Sequence, residues 1–219
     1  MTRNAVFLVV LLAARPLGAQ DTRFFYPEPR ASAFAVTRNL GYGAADTALR
    51  MDVYRPARTS SEQPTLVFFT LGNQRANPGY TGWARLAASK GLVAILADLR
   101  ATHGTQDFGT LLTHLVTRGR SLGIDTAAIA VFGASVNAFT AFPFVEDPGE
   151  KRVKAAVMFY SSADVHRFRH DLPVLYVRAG LDRPSVSVGI DSVVARALSQ
   201  NAPLTIINNS GGHHSFETT

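Results

Sequence analysis

A chain of 219 residues with 47% apolar and 17% charged content is long enough and hydrophobic enough for one globular domain with a substantial core, which excludes a disordered chain or a coiled coil. The net charge is +6, but the basic residues, among them Arg23, Arg55, Arg85, Arg118, Arg152 and Arg196, are scattered rather than gathered into a stripe, so no nucleic-acid partner is expected. There is no Cys, hence neither a disulfide framework nor a thiol to protect.

Met1 to Gln20 reads as an export signal. Arg3 gives a positive start, Ala5 to Ala14 is an apolar run too short to span a bilayer, and Leu17-Gly18-Ala19 offers a cleavage site. The mature chain, 21–219, is read as a single domain, exported to the periplasm or the medium, with no stable membrane insertion. Asp21 to Arg30 is polar and punctuated by Pro, the composition of a linker or surface arm. Phe34 to Leu40 and Leu49 to Tyr54 are strand candidates around Gly41-Tyr42-Gly43, an antiparallel pair.

From Leu66 the pattern alternates strand and helix. Leu66 to Phe69 is a continuous apolar run, as expected of a strand buried on both faces. Pro78 to Lys90 carries Trp83, Leu86 and Ala87 at helical spacing and stops at Gly91. Leu92 to Ala97 is the next strand, and Phe108 to Leu122 an amphipathic helix with Leu111, Leu112, Leu115 and Val116 on one face. Ala127 to Phe132 is a strand followed by a helix, then come strands at Val153–Tyr160 and Leu172–Arg178, a helix at Val188–Leu198 and a last strand at Leu204–Ile207. Repeated βα units require a doubly wound, mainly parallel sheet with helices on both faces, here with an antiparallel N-terminal edge pair. Ligands of such sheets sit at the carboxyl ends of the strands.

Three segments carry chemistry at those ends. Gly133-Ala134-Ser135 lies between a strand and a helix, the setting of a nucleophile elbow. A serine hydroxyl needs a base to take its proton, and the helix start offers the Val136 N–H to an oxyanion. A second G-x-S, Gly119-Arg120-Ser121, has no strand before it and reads as a chance copy. Asp182 follows the Leu172–Arg178 strand in a Gly- and Pro-bounded loop, and His213 and His214 follow the last strand. Ser135, Asp182, His214 is the chain order expected of a triad on this sheet. His214 is favoured over His213 because Phe216 completes a His-x-Phe ending whose ring can pack beneath the loop; Asp164 is the rival acid. The second oxyanion donor is expected from the loop Thr70-Leu71-Gly72-Asn73, at the Leu71 N–H. His166 and His170 lie four apart without a Glu between them or a third ligand, so no metal site is read there.

With Asp52 to Pro56, Gly133-Ala134-Ser135, Gly180-Leu181-Asp182 and His214-Ser215-Phe216 in register, the chain from about Leu49 to Phe216 resembles the α/β-hydrolases, and within them the dienelactone hydrolase-like and small esterase group. The resemblance implies cleavage of an ester, lactone or thioester through an acyl-enzyme, with no cofactor and no metal. Against the family pattern, Asn137 stands in place of a Gly, Thr70-Leu71 in place of His-Gly, and the chain ends at Thr219, where the family continues into a final helix, so that helix is expected to be missing. The segment between Tyr160 and Leu172, where relatives insert a lid, is short, so an open site for a small-molecule ester without a large lid is expected. A peptidase of the same fold, or a catalytically impaired binding protein, are the alternative readings. Substrate identity and oligomeric state are not encoded in these motifs.

Overall fold

A computed structural model of the chain describes residues 28–43, 48–59, 61–72 and 74–218. The expected export signal, Met1 to Gln20, lies outside them, as does most of the expected linker or arm Asp21 to Arg30. Eight strands form one sheet: β1 (Phe34–Gly41), β2 (Arg50–Pro56), β3 (Gln63–Phe68), β4 (Val93–Ala97), β5 (Ile124–Ala134), β6 (Val153–Phe159), β7 (Val174–Ala179) and β8 (Leu204–Asn209). Their spatial order is β1-β2-β4-β3-β5-β6-β7-β8. Only β1 with β2 and β2 with β4 run antiparallel; the rest of the sheet is parallel.

Four helices connect the parallel strands: α1 (Pro78–Ser89), α2 (Gly104–Arg118), α3 (Val136–Glu146) and α4 (Pro184–Ser199). Strand register separates the faces. Phe68 pairs across the sheet with Phe132, and its ring meets Tyr80 of α1 edge-on at 6.1 Å, so α1 covers that face. Gly133, one residue along β5 and therefore on the opposite face, abuts Ala138 of α3. Helices thus lie on both faces. The core runs along the central strands, where Val67, Phe69, Val131 and the whole of Val93–Ala97 are buried.

Two helices begin a turn before the apolar pattern does. α2 starts at Gly104 rather than Phe108, because Asp107 in its first turn is buried and accepts hydrogen bonds from the Arg100 backbone and guanidinium. The turn is fixed by a polar contact that hydrophobic periodicity does not register. α4 starts at Pro184 rather than Val188, with Pro at its first position, where the missing N–H costs nothing. α2 also stops at Arg118; Gly119–Leu122 is a 3-10 turn that ends at Gly123 with φ 73°. The second G-x-S lies in that turn. No helix or strand interrupts the chain between Phe159 and Val174.

Candidate active site

β5 delivers Ser135 to the carboxyl edge of the sheet in a left-handed backbone conformation, φ 54° and ψ −127°, directly before the first residue of α3. Such a conformation is costly for a residue with a side chain, by about 1–3 kcal/mol, and the surroundings must enforce it. They do. The Ser135 N–H donates to the Phe159 carbonyl at 3.0 Å, and the chain reverses against Gly133. A Cβ on Gly133 would lie 2.9 Å from Ala138 Cα, closer than carbon atoms pack, so only glycine allows this tight a crossing.

Asp182 and His214 arrive on the two neighbouring loops, which extend the β7–β8 ladder. The Gly180 N–H donates to the Asn209 carbonyl at 2.7 Å, and the Leu181 N–H to the Gly212 carbonyl at 2.9 Å. A Cβ on Gly180 would strike Ser210 backbone atoms at 2.7 Å, so the loops touch without a side chain between them. This places Asp182, whose side chain is fully buried, with Oδ2 2.7 Å from His214 Nδ1. Asp182 Oδ1 accepts the Arg183 N–H at 2.7 Å. His214 Nε2 lies 2.7 Å from Ser135 Oγ. A carboxylate can only accept, so Nδ1 carries the imidazole proton and Nε2 is left to accept from the serine hydroxyl. Of the two candidate histidines, His214 is the one brought to Ser135. Phe216 stacks on Phe159 at 5.9 Å, beneath the loop. Asp164 faces away, bonded to His166 Nε2 and beside Arg196 on the surface. Among the described residues no group of His, Cys, Asp and Glu has the arrangement of a metal centre.

The two expected oxyanion donors stand differently. Val136 N–H is at the first position of α3, where helix geometry leaves an amide without an intrahelical acceptor. Leu71 N–H is taken: it donates to Asn137 Oδ1 at 2.9 Å. Asn137 is only 2% exposed, and its Nδ2 donates to the Tyr80 hydroxyl at 2.7 Å and to Gln74 Oε1 at 3.1 Å. The side chain therefore bolts the loop after β3, and the start of α1, to the turn that carries Ser135. The sequence marks Asn137 as a departure from G-x-S-x-G, but its three partners are 57 to 66 residues away and leave no local signal. Tyr160 and Glu217, which no motif singles out, also reach the site: the Tyr160 ring lies 4.6 Å from the His214 ring, and its hydroxyl donates to Glu217 Oε1. Burial, then the Glu217 carboxyl, pushes the Tyr160 phenol far above its ordinary range, and burial raises Glu217 as well.

No protein-family model and no curated protein matches the chain. Solved structures do. Esterase B from Lactobacillus rhamnosis, bound to an inhibitor, superposes with a TM-score of 0.70 at 12% identity over 87% of this chain and 82% of that one. An alpha/beta hydrolase enzyme from a Medee basin deep-sea metagenome library gives 0.67 at 15% identity over 84% of each chain. An esterase of Pyrobaculum calidifontis gives 0.68 at 19% identity over 86% and 78%. With a mainly parallel eight-stranded sheet, an antiparallel edge and Ser135 on a strained strand-to-helix turn, the chain adopts the α/β-hydrolase fold.

Proposed function

We propose that the protein is an exported serine hydrolase that cleaves a carboxylic ester of a small molecule through an acyl-enzyme, with Ser135 as nucleophile, His214 as base and Asp182 orienting His214. The observation that carries this is the unbroken relay of two 2.7 Å hydrogen bonds, Ser135 Oγ to His214 Nε2 and His214 Nδ1 to Asp182 Oδ2. As Oγ bonds to the ester carbonyl carbon, its proton passes to Nε2, and Asp182 stabilises the resulting imidazolium. The tetrahedral intermediate then expels the alcohol, which takes the proton from Nε2. Water repeats the sequence on the acyl-enzyme and releases the acid.

The oxyanion is assigned to the Val136 N–H and, once Asn137 Oδ1 yields it, to the Leu71 N–H. Val136 and Leu181, next in chain to the nucleophile and the acid, are exposed apolar side chains suited to the alkyl parts of an ester. That similar structures include proteins named esterases supports an ester as the substrate. The decisive experiment is labelling of the mature protein with a fluorophosphonate, alongside hydrolysis of short p-nitrophenyl esters. Both activities are expected in the parent and neither in Ser135→Ala. A folded parent that takes no label refutes the reading. It would favour instead a binding protein of this fold, a reading whose one support is the capped Leu71 amide.

A further inference from the structure

Among the described residues five non-glycine residues have positive φ: Asn39, Ser135, Tyr160, Asn201 and Ser215. Two are Asn, which tolerates this conformation; the other three are not, and they converge on His214. Ser135 is its hydrogen-bond partner, Ser215 its chain neighbour, and Tyr160 its ring neighbour. Strain of this kind persists only where surrounding contacts over-determine it. At Tyr160, φ 34° follows the end of β6, with the backbone N–H fixed to the Val177 carbonyl at 2.7 Å. The turn lays the ring against His214 at 4.6 Å, tilted by 56°, and leaves Tyr160 only 2% exposed.

What holds the ring there is Glu217. The Tyr160 hydroxyl donates to Glu217 Oε1, and Ser215 adds a hydrogen bond to the phenolic oxygen. Glu217 Oε2 is buried with no hydrogen-bond partner, a cost accepted for a carboxyl that faces His214, Tyr160 and Tyr80. The 3-10 turn Phe216–Thr218 that carries Glu217 is itself pinned by Phe216, which packs on Phe159 and on Tyr160, each at 5.9 Å. His214 thus has two neighbours that hold it: Asp182 bonds its Nδ1, and the Tyr160 ring packs against the imidazole at 4.6 Å.

We propose that Glu217 is a positioning residue for the base: through the Tyr160 hydroxyl it fixes the plane of the His214 imidazole toward Ser135. The proposal rests on the serine-hydrolase reading above. It is tested by steady-state hydrolysis of p-nitrophenyl acetate by the mature chain carrying Glu217→Leu, Glu217→Gln, Tyr160→Phe or the pair Tyr160→Phe/Glu217→Leu. A base displaced by up to about 1 Å loses about 10- to 100-fold in turnover. Glu217→Leu and Tyr160→Phe should each lose that much in kcat with KM unchanged within about twofold. Glu217→Gln keeps an acceptor oxygen for the hydroxyl and should stay within about threefold of the parent. The pair should be no worse than the poorer single variant, because one link is cut only once. Tyr160→Phe retains the ring, so it remains informative if Glu217→Leu does not fold. Any one of three results overturns the proposal: Tyr160→Phe within about threefold of the parent, Glu217→Gln as impaired as Glu217→Leu, or losses that multiply in the pair. Ser135→Ala in the same assay separates the failures: if it retains activity, the hydrolase reading itself has failed.

Discussion

Replacing Asn137 by Asp changes one atom and tests where the oxyanion sits. In the parent, Asn137 Oδ1 and any oxyanion bound by the Leu71 amide must share one N–H. The first lies 2.9 Å from the nitrogen. The second would lie about 2.7–3.1 Å from it, so the two oxygens come within roughly 5 Å of each other. A carboxylate at residue 137 then faces the developing negative charge. At roughly 5 Å and an effective dielectric constant of about 20, the repulsion is about 3 kcal/mol, or on the order of 100-fold in rate. Asn137→Asp also loses the Nδ2 donor to Tyr80 and Gln74, which costs stability and loosens the loop. Asn137→Ala loses the same donor without adding charge and also frees the Leu71 N–H, so the ratio of the two variants combines the electrostatic repulsion with the competition for that amide. The measurement is kcat/KM for p-nitrophenyl acetate near pH 8, with thermal melts to confirm folding. Asn137→Asp is expected to fall on the order of 100-fold below Asn137→Ala. A ratio under about threefold would mean that the Leu71 amide does not face the oxyanion.

Asp182→Asn should reduce kcat about 10³- to 10⁴-fold with KM little changed, since an amide can force the imidazole into the tautomer that cannot accept from Ser135; a loss under tenfold in burst kinetics would remove Asp182 from its role. Gly133→Ala drives a methyl to 2.9 Å from Ala138 Cα, and backbone cannot step aside as a side chain can. A destabilisation of about 1–3 kcal/mol is expected, visible as a melting temperature lower by several degrees, and an unchanged melt would contradict the crossing geometry. Burial lifts the Glu146 carboxyl from its usual range to about 7. Because the folded value is raised, its contribution is fully present below the unfolded pKa and is lost as pH rises through about 7. Glu146→Gln, whose amide oxygen still accepts the Arg169 N–H, should therefore gain on the parent between pH 5 and 8, by on the order of 2 kcal/mol in urea titrations; parallel curves would refute it.

The parallel sheet was readable because its strands are continuous apolar runs, and Val93–Ala97, buried at every position, is the clearest. The elbow was readable because its demands are local: a strand, a glycine that cannot carry a methyl, and a helix within a few residues. The pairing of Asp182 with His214 was readable only through chain order, and its fine geometry depends on the Gly180–Asn209 and Leu181–Gly212 backbone contacts, which no motif states. What escaped was polar and non-local. Asp107 opens α2 a turn early by holding Arg100. Asn137 reads as a flaw in a motif until Leu71, Gln74 and Tyr80 fold against it. Glu217 follows His214 by three residues, yet its partner, Tyr160, lies 57 residues upstream. Periodicity reports which face is apolar; it carries no record of which buried polar groups find each other.

On the proposed serine-hydrolase mechanism, the site is prepared in two unequal halves. The proton-transfer half is assembled at rest. Its three side chains are in contact, its loops share a hydrogen-bonded ladder, and glycines at 133 and 180 leave the backbone no slack. Of the two donors proposed for the oxyanion in the charge-stabilising half, Val136 N–H heads α3 without an intrahelical acceptor, but the other is occupied. Leu71 N–H already has an acceptor, and that acceptor is locked by two further hydrogen bonds. A neutral ester carbonyl competes poorly for an amide whose net hydrogen-bond contribution is about 0.5–1.5 kcal/mol, but a full oxyanion forms a charge-assisted bond roughly twice as strong. The exchange of Asn137 Oδ1 for substrate oxygen is therefore favoured in the transition state rather than the ground state, the differential that raises turnover. On this reading Asn137→Ala should lower KM more than it raises kcat, because the ground-state carbonyl then meets a free amide. A variant with kcat raised at constant KM would show that Asn137 restrains the chemical step itself.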